Sequence, residues 1–110
     1  MEQAKQAWEL LNDRIGSYNG RGVNHEGQAF TGDLALTAPV PGKILSVKST
    51  ATGDREELYH CEQSSIGWDT SGTLVLHVAS NNHPSLTPHL FHRIEEKDGA
   101  KHLVFRHGEP

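Results

Sequence analysis

The feature that most constrains this chain is an alternation of apolar and polar residues with a period of two, interrupted by tight turns, that runs from Gly16 to His107. Successive side chains of a strand point to opposite faces, so a chain patterned this way folds as a meandering antiparallel sheet with one half-buried face. Leu74, Leu76 and Val78 alternate with Val75, His77 and Ala79, and Leu103 and Phe105 alternate with His102, Val104 and Arg106. The pattern predicts seven strands, at about 16–24, 28–37, 43–51, 55–67, 73–79, 89–95 and 101–107. Pro39, Pro41 and Gly42 are expected to end the second strand. Thr52-Gly53-Asp54, Asp69-Thr70-Ser71-Gly72 and Lys97-Asp98-Gly99 supply tight turns, and 81–88 is a loop with two prolines.

Before the sheet, residues 2–14 carry the one helical pattern: Ala4, Ala7, Trp8, Leu11 and Ile15 recur at spacings of three and four. Asn12, Asp13 and Gly16 are stop signals. A helix this short is marginal alone in water, so it is expected to dock on the sheet through Trp8 and Leu11.

Composition narrows the class. The 110 residues fit one domain, 35% are hydrophobic, and only Trp8, Tyr18, Phe30, Tyr59, Trp68, Phe91 and Phe105 are aromatic, so one half-buried sheet suits the chain better than a thick multilayer core. A net charge of −4 with lysines and arginines scattered singly argues against phosphate-driven nucleic-acid binding and against an anionic membrane surface. Met1–Leu10 has neither a basic start nor an apolar run, so no signal peptide is expected, and no stretch approaches the roughly 20 apolar residues of a membrane helix. Cys61 is the only cysteine, which excludes an internal disulfide and a cysteine-based zinc site and makes a reducing cytoplasm the default compartment.

The chemistry-bearing residues are chiefly the eight histidines: His25, His60, His77, His83, His89, His92, His102 and His107. A zinc site needs three or four ligands converging on one ion. Along a strand only residues two apart share a face, and no two histidines do; His89 and His92, three apart, point to opposite faces. The simplest reading is scattered surface histidines. The best single candidates for a metal or heme ligand are His60, expected to share a face with Leu58, His92, expected to share one with Leu90 and Ile94, and His77 beside Val75. His60 and Cys61 are neighbours on a strand and point apart, so they are poor geometry for a nucleophile pair, and Cys61 reads as a small buried hydrophobe. Asp54, Glu56, Glu57 and Glu62 read as a solvated acidic edge, and Asn24-His25-Glu26 has no spacing that signals calcium or zinc. No phosphate loop, dinucleotide fingerprint or Gly-x-Ser-x-Gly occurs, which puts an enzyme behind the binding readings.

The run Gly16-Ser17-Tyr18-Asn19-Gly20-Arg21-Gly22, directly after a short helix, resembles the first strand of calycins: lipocalins, fatty-acid-binding proteins and nitrobindin-like heme-binding barrels. That strand carries Gly-x-Trp, extended to Gly-x-Trp-x-Gly-x-Gly in nitrobindin-like members, and Tyr18 stands where the family has Trp. The segment from Tyr59 to His77 also resembles the family's acidic–aromatic–Gly-Trp strand, turn and apolar strand. The resemblance implies that Gly16, Tyr18 and Arg106 form a structural signature, with Tyr18 buried beneath Arg106. It also implies an open or partial calycin-like barrel whose inner face is lined by Leu34, Leu36, Leu45, Val47, Leu74, Leu76, Leu103 and Phe105. The function it implies is non-catalytic binding of a small apolar ligand, heme among them. The chain departs from the family in having seven strands rather than eight or ten, and no histidine can be carried over as the heme ligand of the family's last strand. Seven strands are too few to close a barrel and leave two bare edges, so a homodimer whose sheets complete each other is expected. The alternative is a structural or interaction module whose apolar face packs on a partner chain, with no ligand.

Overall fold

In a computed structural model, residues 2–24, 26–82 and 85–107 are described; His25 and His83 lie outside them, as do Met1, Pro84 and positions 108–110. The alternating segments become β1 (Gly16–Val23), β2 (Ala29–Val40), β3 (Ile44–Gly53), β4 (Leu58–Trp68), β5 (Leu74–Ser80), β6 (Thr87–Lys97) and β7 (Ala100–His107), preceded by α1 (Glu2–Asn12). All seven strands join one antiparallel sheet in sequence order, an open curled half-barrel with β1 and β7 as its edges.

The turns follow from their residues. After β4, the Asp69 carboxylate accepts hydrogen bonds from the backbone N–H groups of Ser71 and Thr73, each at 2.9 Å, and from the Ser71 hydroxyl at 2.7 Å. Those donors, led by Thr73, hold the Asp69 carboxyl below its ordinary range. Gly72 has a φ of 84°, which a side chain would strain. Between β6 and β7, Asp98 and Gly99 both take positive φ, 52° and 77°, as the tight two-residue hairpin turn requires.

Alternation and register together sort the two faces. On the inner face, Leu36 opposes Val47, Leu45 opposes Ile66, and Ile66 opposes Leu76. Leu36, Leu45, Ile66 and Leu74 are buried there with Ala4 and Ala7 of α1. Trp8, Leu11, Trp68, Phe91, Ile94, Leu103 and Phe105 pack around them. The helix docks as its apolar stripe predicts. The backbone N–H of Ile94 donates to the Gln3 side-chain oxygen at 3.1 Å, which ties the first turn of α1 to β6. Strands β4 and β6 therefore add Ile66, Trp68, Phe91 and Ile94 to a face that the sequence reading drew from β2, β3, β5 and β7.

Three local expectations are corrected. β2 does not stop before the prolines: it runs to Val40, and an irregularity between Thr37 and Val40 accommodates Pro39, which has no N–H to give a ladder. Leu90 and Ile94 do not share a face, because a bulge between Phe91 and Arg93 inserts one residue: Leu90 opposes Arg106, whereas Ile94 opposes Leu103 and joins the core. His60 and Leu58 are likewise separated by a register shift, His60 opposing Ala51 and Leu58 opposing the next residue, Thr52.

Candidate functional site

The inner face carries the residues expected to line a ligand, and α1 covers part of it. Leu45 and Leu74, at 0% and 1% exposure, lie in the core that α1 covers, with Leu36 beside them. Val47, Leu76, Leu103 and Phe105 are half-buried around that core, and Leu34 is exposed. The eight expected lining residues thus split into filled core and open margin. The open part of the inner face therefore lies at the margins of α1.

Three hollows among the described residues bear on this face. One hollow of about 320 Å³ sits between the first turn of α1, the β4–β5 turn and the β6 bulge, lined by Glu2, Ala4, Thr73, Leu74, Phe91 and His92 among others. A second, of about 520 Å³, lies where Leu10, Leu11 and Arg14 face Gly99, Lys101 and Leu103. A third, of about 310 Å³, spreads over β1–β3 beyond the helix, around Tyr18, Phe30 and Leu34, with Gly20 and Gly32 among its lining. Gly20 and Gly32 face each other across β1 and β2, so two positions in a row there carry no side chain. Phe30 lies over Gly22, where an added Cβ would come within 2.8 Å of its ring.

The signature residues do not meet as the resemblance implies. Tyr18 is 50% exposed, and its hydroxyl donates to the Arg14 carbonyl. It stands on β1, at the opposite edge of the sheet from Arg106 on β7. An open sheet keeps its first and last strands apart, so the pairing that depends on barrel closure is not made. Arg106 is exposed and opposes Leu90 on the outer face.

The three candidate ligand histidines sit apart. His60, on β4, is held at both nitrogens: the Asn82 amide lies 2.9 Å from Nδ1, and Glu62 Oε1 lies 3.4 Å from Nε2. Both ring nitrogens thus have a side-chain partner, an amide at Nδ1 and a carboxylate at Nε2. His77 is exposed on the outer face between Ser65 and Pro88. His92 occupies the β6 bulge and is exposed; desolvation first, then Arg106 and Arg93, hold its pKa below the ordinary imidazole value. Among the described residues no group of three or more His, Cys, Asp or Glu side chains could hold a metal ion. Of these three, His92 borders the hollow at the first turn of α1, whereas His60 and His77 are not among the residues lining that hollow or the two others described above.

Glu57 caps its own turn, accepting from Arg55 N–H at 2.8 Å, while Glu62 faces inward beside His60. Cys61 is half-buried rather than buried, and its N–H donates to Asn81 Oδ1 at 2.7 Å. No helix is long and apolar enough to cross a membrane among the described residues.

One juxtaposition was missed by reading each strand separately. His89 of β6 opposes His107 of β7, with ring centroids 5.4 Å apart and planes at 79°. The signal was present in the Lys97-Asp98-Gly99 turn, which fixes the hairpin, but a regular hairpin from that turn would set His89 opposite position 108. The bulge after Phe91 moves the register by one and brings the two rings together. No family model, curated protein or solved structure matches this chain. Its seven-stranded antiparallel half-barrel is compatible with a calycin-like fold.

Proposed function

We propose that this chain is a non-catalytic binding domain, a calycin-like half-barrel that takes a small apolar molecule at the margin of its inner face and is completed by a second copy. The observation that carries the reading is excess surface. The chain exposes 7585 Å², whereas a folded monomer of 12.1 kDa exposes about 6,000 Å². Its radius of gyration is 15.0 Å against the roughly 13 Å of a compact domain of this length. The difference, on the order of 1,500 Å², exceeds the ~800 Å² each partner buries in a standard interface.

The uncovered region suits a copy of itself. Tyr18 and Leu34 oppose each other on the inner face beyond α1 and are 50% and 38% exposed. Gly20 and Gly32 next to them allow close approach. A two-fold axis lets the same patch meet itself and shelters an otherwise open edge. A small apolar ligand would lie in the hollow that two such patches enclose. The lone Cys61 suits a reducing compartment such as the cytoplasm.

A second reading is favoured by one observation. Leu45 and Leu74 are already buried in the core beneath α1, which suits an interaction module that holds no ligand. Light scattering at micromolar concentration, followed by organic extraction and mass spectrometry of the purified protein, separates the two. A dimer with a stoichiometric extracted apolar molecule supports the binding domain. A dimer with none, and no saturable uptake of a fluorescent apolar dye, supports the interaction module. A mass of one chain that does not change on tenfold concentration defeats completion by a second copy.

A further inference from the structure

We infer that His89 and His107 form a two-imidazole site for a divalent transition metal at the β7 rim of the sheet. The two residues are directly opposed across antiparallel strands, and their rings stand edge to face with centroids 5.4 Å apart. Side chains opposed in this way are held at a short Cβ separation by the backbone on both sides, so the pair is brought together before any ion arrives. His89 Nδ1 lies 3.4 Å from the carbonyl of Thr87 on its own strand. A carbonyl only accepts, so the ring proton belongs on Nδ1, and the lone pair on Nε2 is left for a ligand. Fixing a tautomer through the second nitrogen is the usual way a metal-binding imidazole is oriented.

The surroundings leave room for the ion and its water. His89 and His107 border an open hollow of about 310 Å³ with Glu62, Ser80, Asn82 and Thr87. His89 is half-buried and His107 exposed, so the ion reaches the pair from solvent. Two nitrogens do not enclose a metal, and water completes the coordination shell. Imidazole ligands without a carboxylate cage select Cu²⁺ first, then Ni²⁺ and Zn²⁺, and pass over Mg²⁺ and Ca²⁺, which take oxygen. His60 stays outside this site because Asn82 and Glu62 hold its nitrogens.

The test is titration of the whole chain with Cu²⁺ at pH 7.5 by calorimetry, with His89→Gln, His107→Gln, His77→Gln and His102→Gln in parallel. One ion per chain is expected to bind the unaltered protein. His89→Gln and His107→Gln should each weaken it by at least about tenfold, and the other two variants should leave it unchanged. Equal losses across all four, or full binding by both site variants, would overturn the assignment. Paramagnetic broadening gives a reading that needs no variant. Substoichiometric Cu²⁺ should erase the His89 and His107 ring signals first, and earlier loss of other histidine signals would count against the site.

Discussion

The ring of Trp8 on α1 meets the ring of Trp68 at the end of β4 edge-on, with centroids 6.0 Å apart and planes at 61°. This contact fastens the helix over the strand end where the inner-face core begins. Each tryptophan lies beside a residue that is almost fully buried: Trp8 follows Ala7 on the helix, and Trp68 opposes Leu74 across the hairpin.

Trp8→Ala should therefore undock α1. Removing a half-buried tryptophan and its contact with Trp68 is expected to lower the unfolding free energy by about 2–4 kcal/mol. Near-UV circular dichroism should lose the paired-indole signal while the far-UV strand signal persists. An unchanged denaturation midpoint would mean that the helix does not hold the core.

Leu45→Ala tests the sheet side of the same core. Leu45 has no exposed surface and sits between Ile66 and the helix-covered cluster. A loss of about 2–5 kcal/mol in a denaturant melt is expected, the range for emptying a packed leucine site. If Leu45 instead lined an open ligand hollow, the loss would be smaller and added apolar ligand would recover it.

Tyr18→Ala should act on assembly rather than on the fold. With half its surface exposed and one hydroxyl bond to the Arg14 carbonyl, Tyr18 contributes little inside one chain. The unfolding free energy measured at high dilution should change by less than about 1 kcal/mol. Sedimentation at micromolar concentration should show the dimer shifted toward monomer. An intact dimer would place the interface elsewhere on the sheet.

His92 gives a pH dependence with a definite sign. Desolvation, reinforced by Arg106 and Arg93, lowers its pKa in the folded state, while Glu95 opposes the shift. As pH falls below the unfolded value of about 6.5, the unfolded chain takes up the proton first, so stability declines until the pH passes the lower folded pKa. His92→Asn should flatten that part of the stability–pH curve. Removing Arg106 should flatten it in part, by relieving the charge that helps hold the imidazole low, whereas Glu95, itself held low chiefly by its hydrogen bond and charge contact with Arg93, titrates in a more acidic range. A variant curve that superimposes on the original between pH 5 and about 6.5 would assign the decline to other histidines.

The sequence by itself determined the elements. Period-two alternation specified seven strands, the three-and-four spacing of Ala4, Ala7, Trp8 and Leu11 specified a helix with one apolar stripe, and Asp69–Gly72 and Asp98-Gly99 specified the tight turns. These are local properties, set by which face each side chain takes and which φ angles each residue tolerates. Tertiary structure decided everything that depends on registers between strands. The bulge after Phe91 put Leu90 and Ile94 on opposite faces, paired Phe91 with Phe105, and set His89 against His107. No residue type in β6 announces a bulge; it is settled by how β7, the core and the Gln3 bond to Ile94 fit together. The same holds for Tyr18 and Arg106. Their distance is fixed by whether the sheet closes, and seven strands in order from one edge to the other leave them on opposite sides of an open half-barrel.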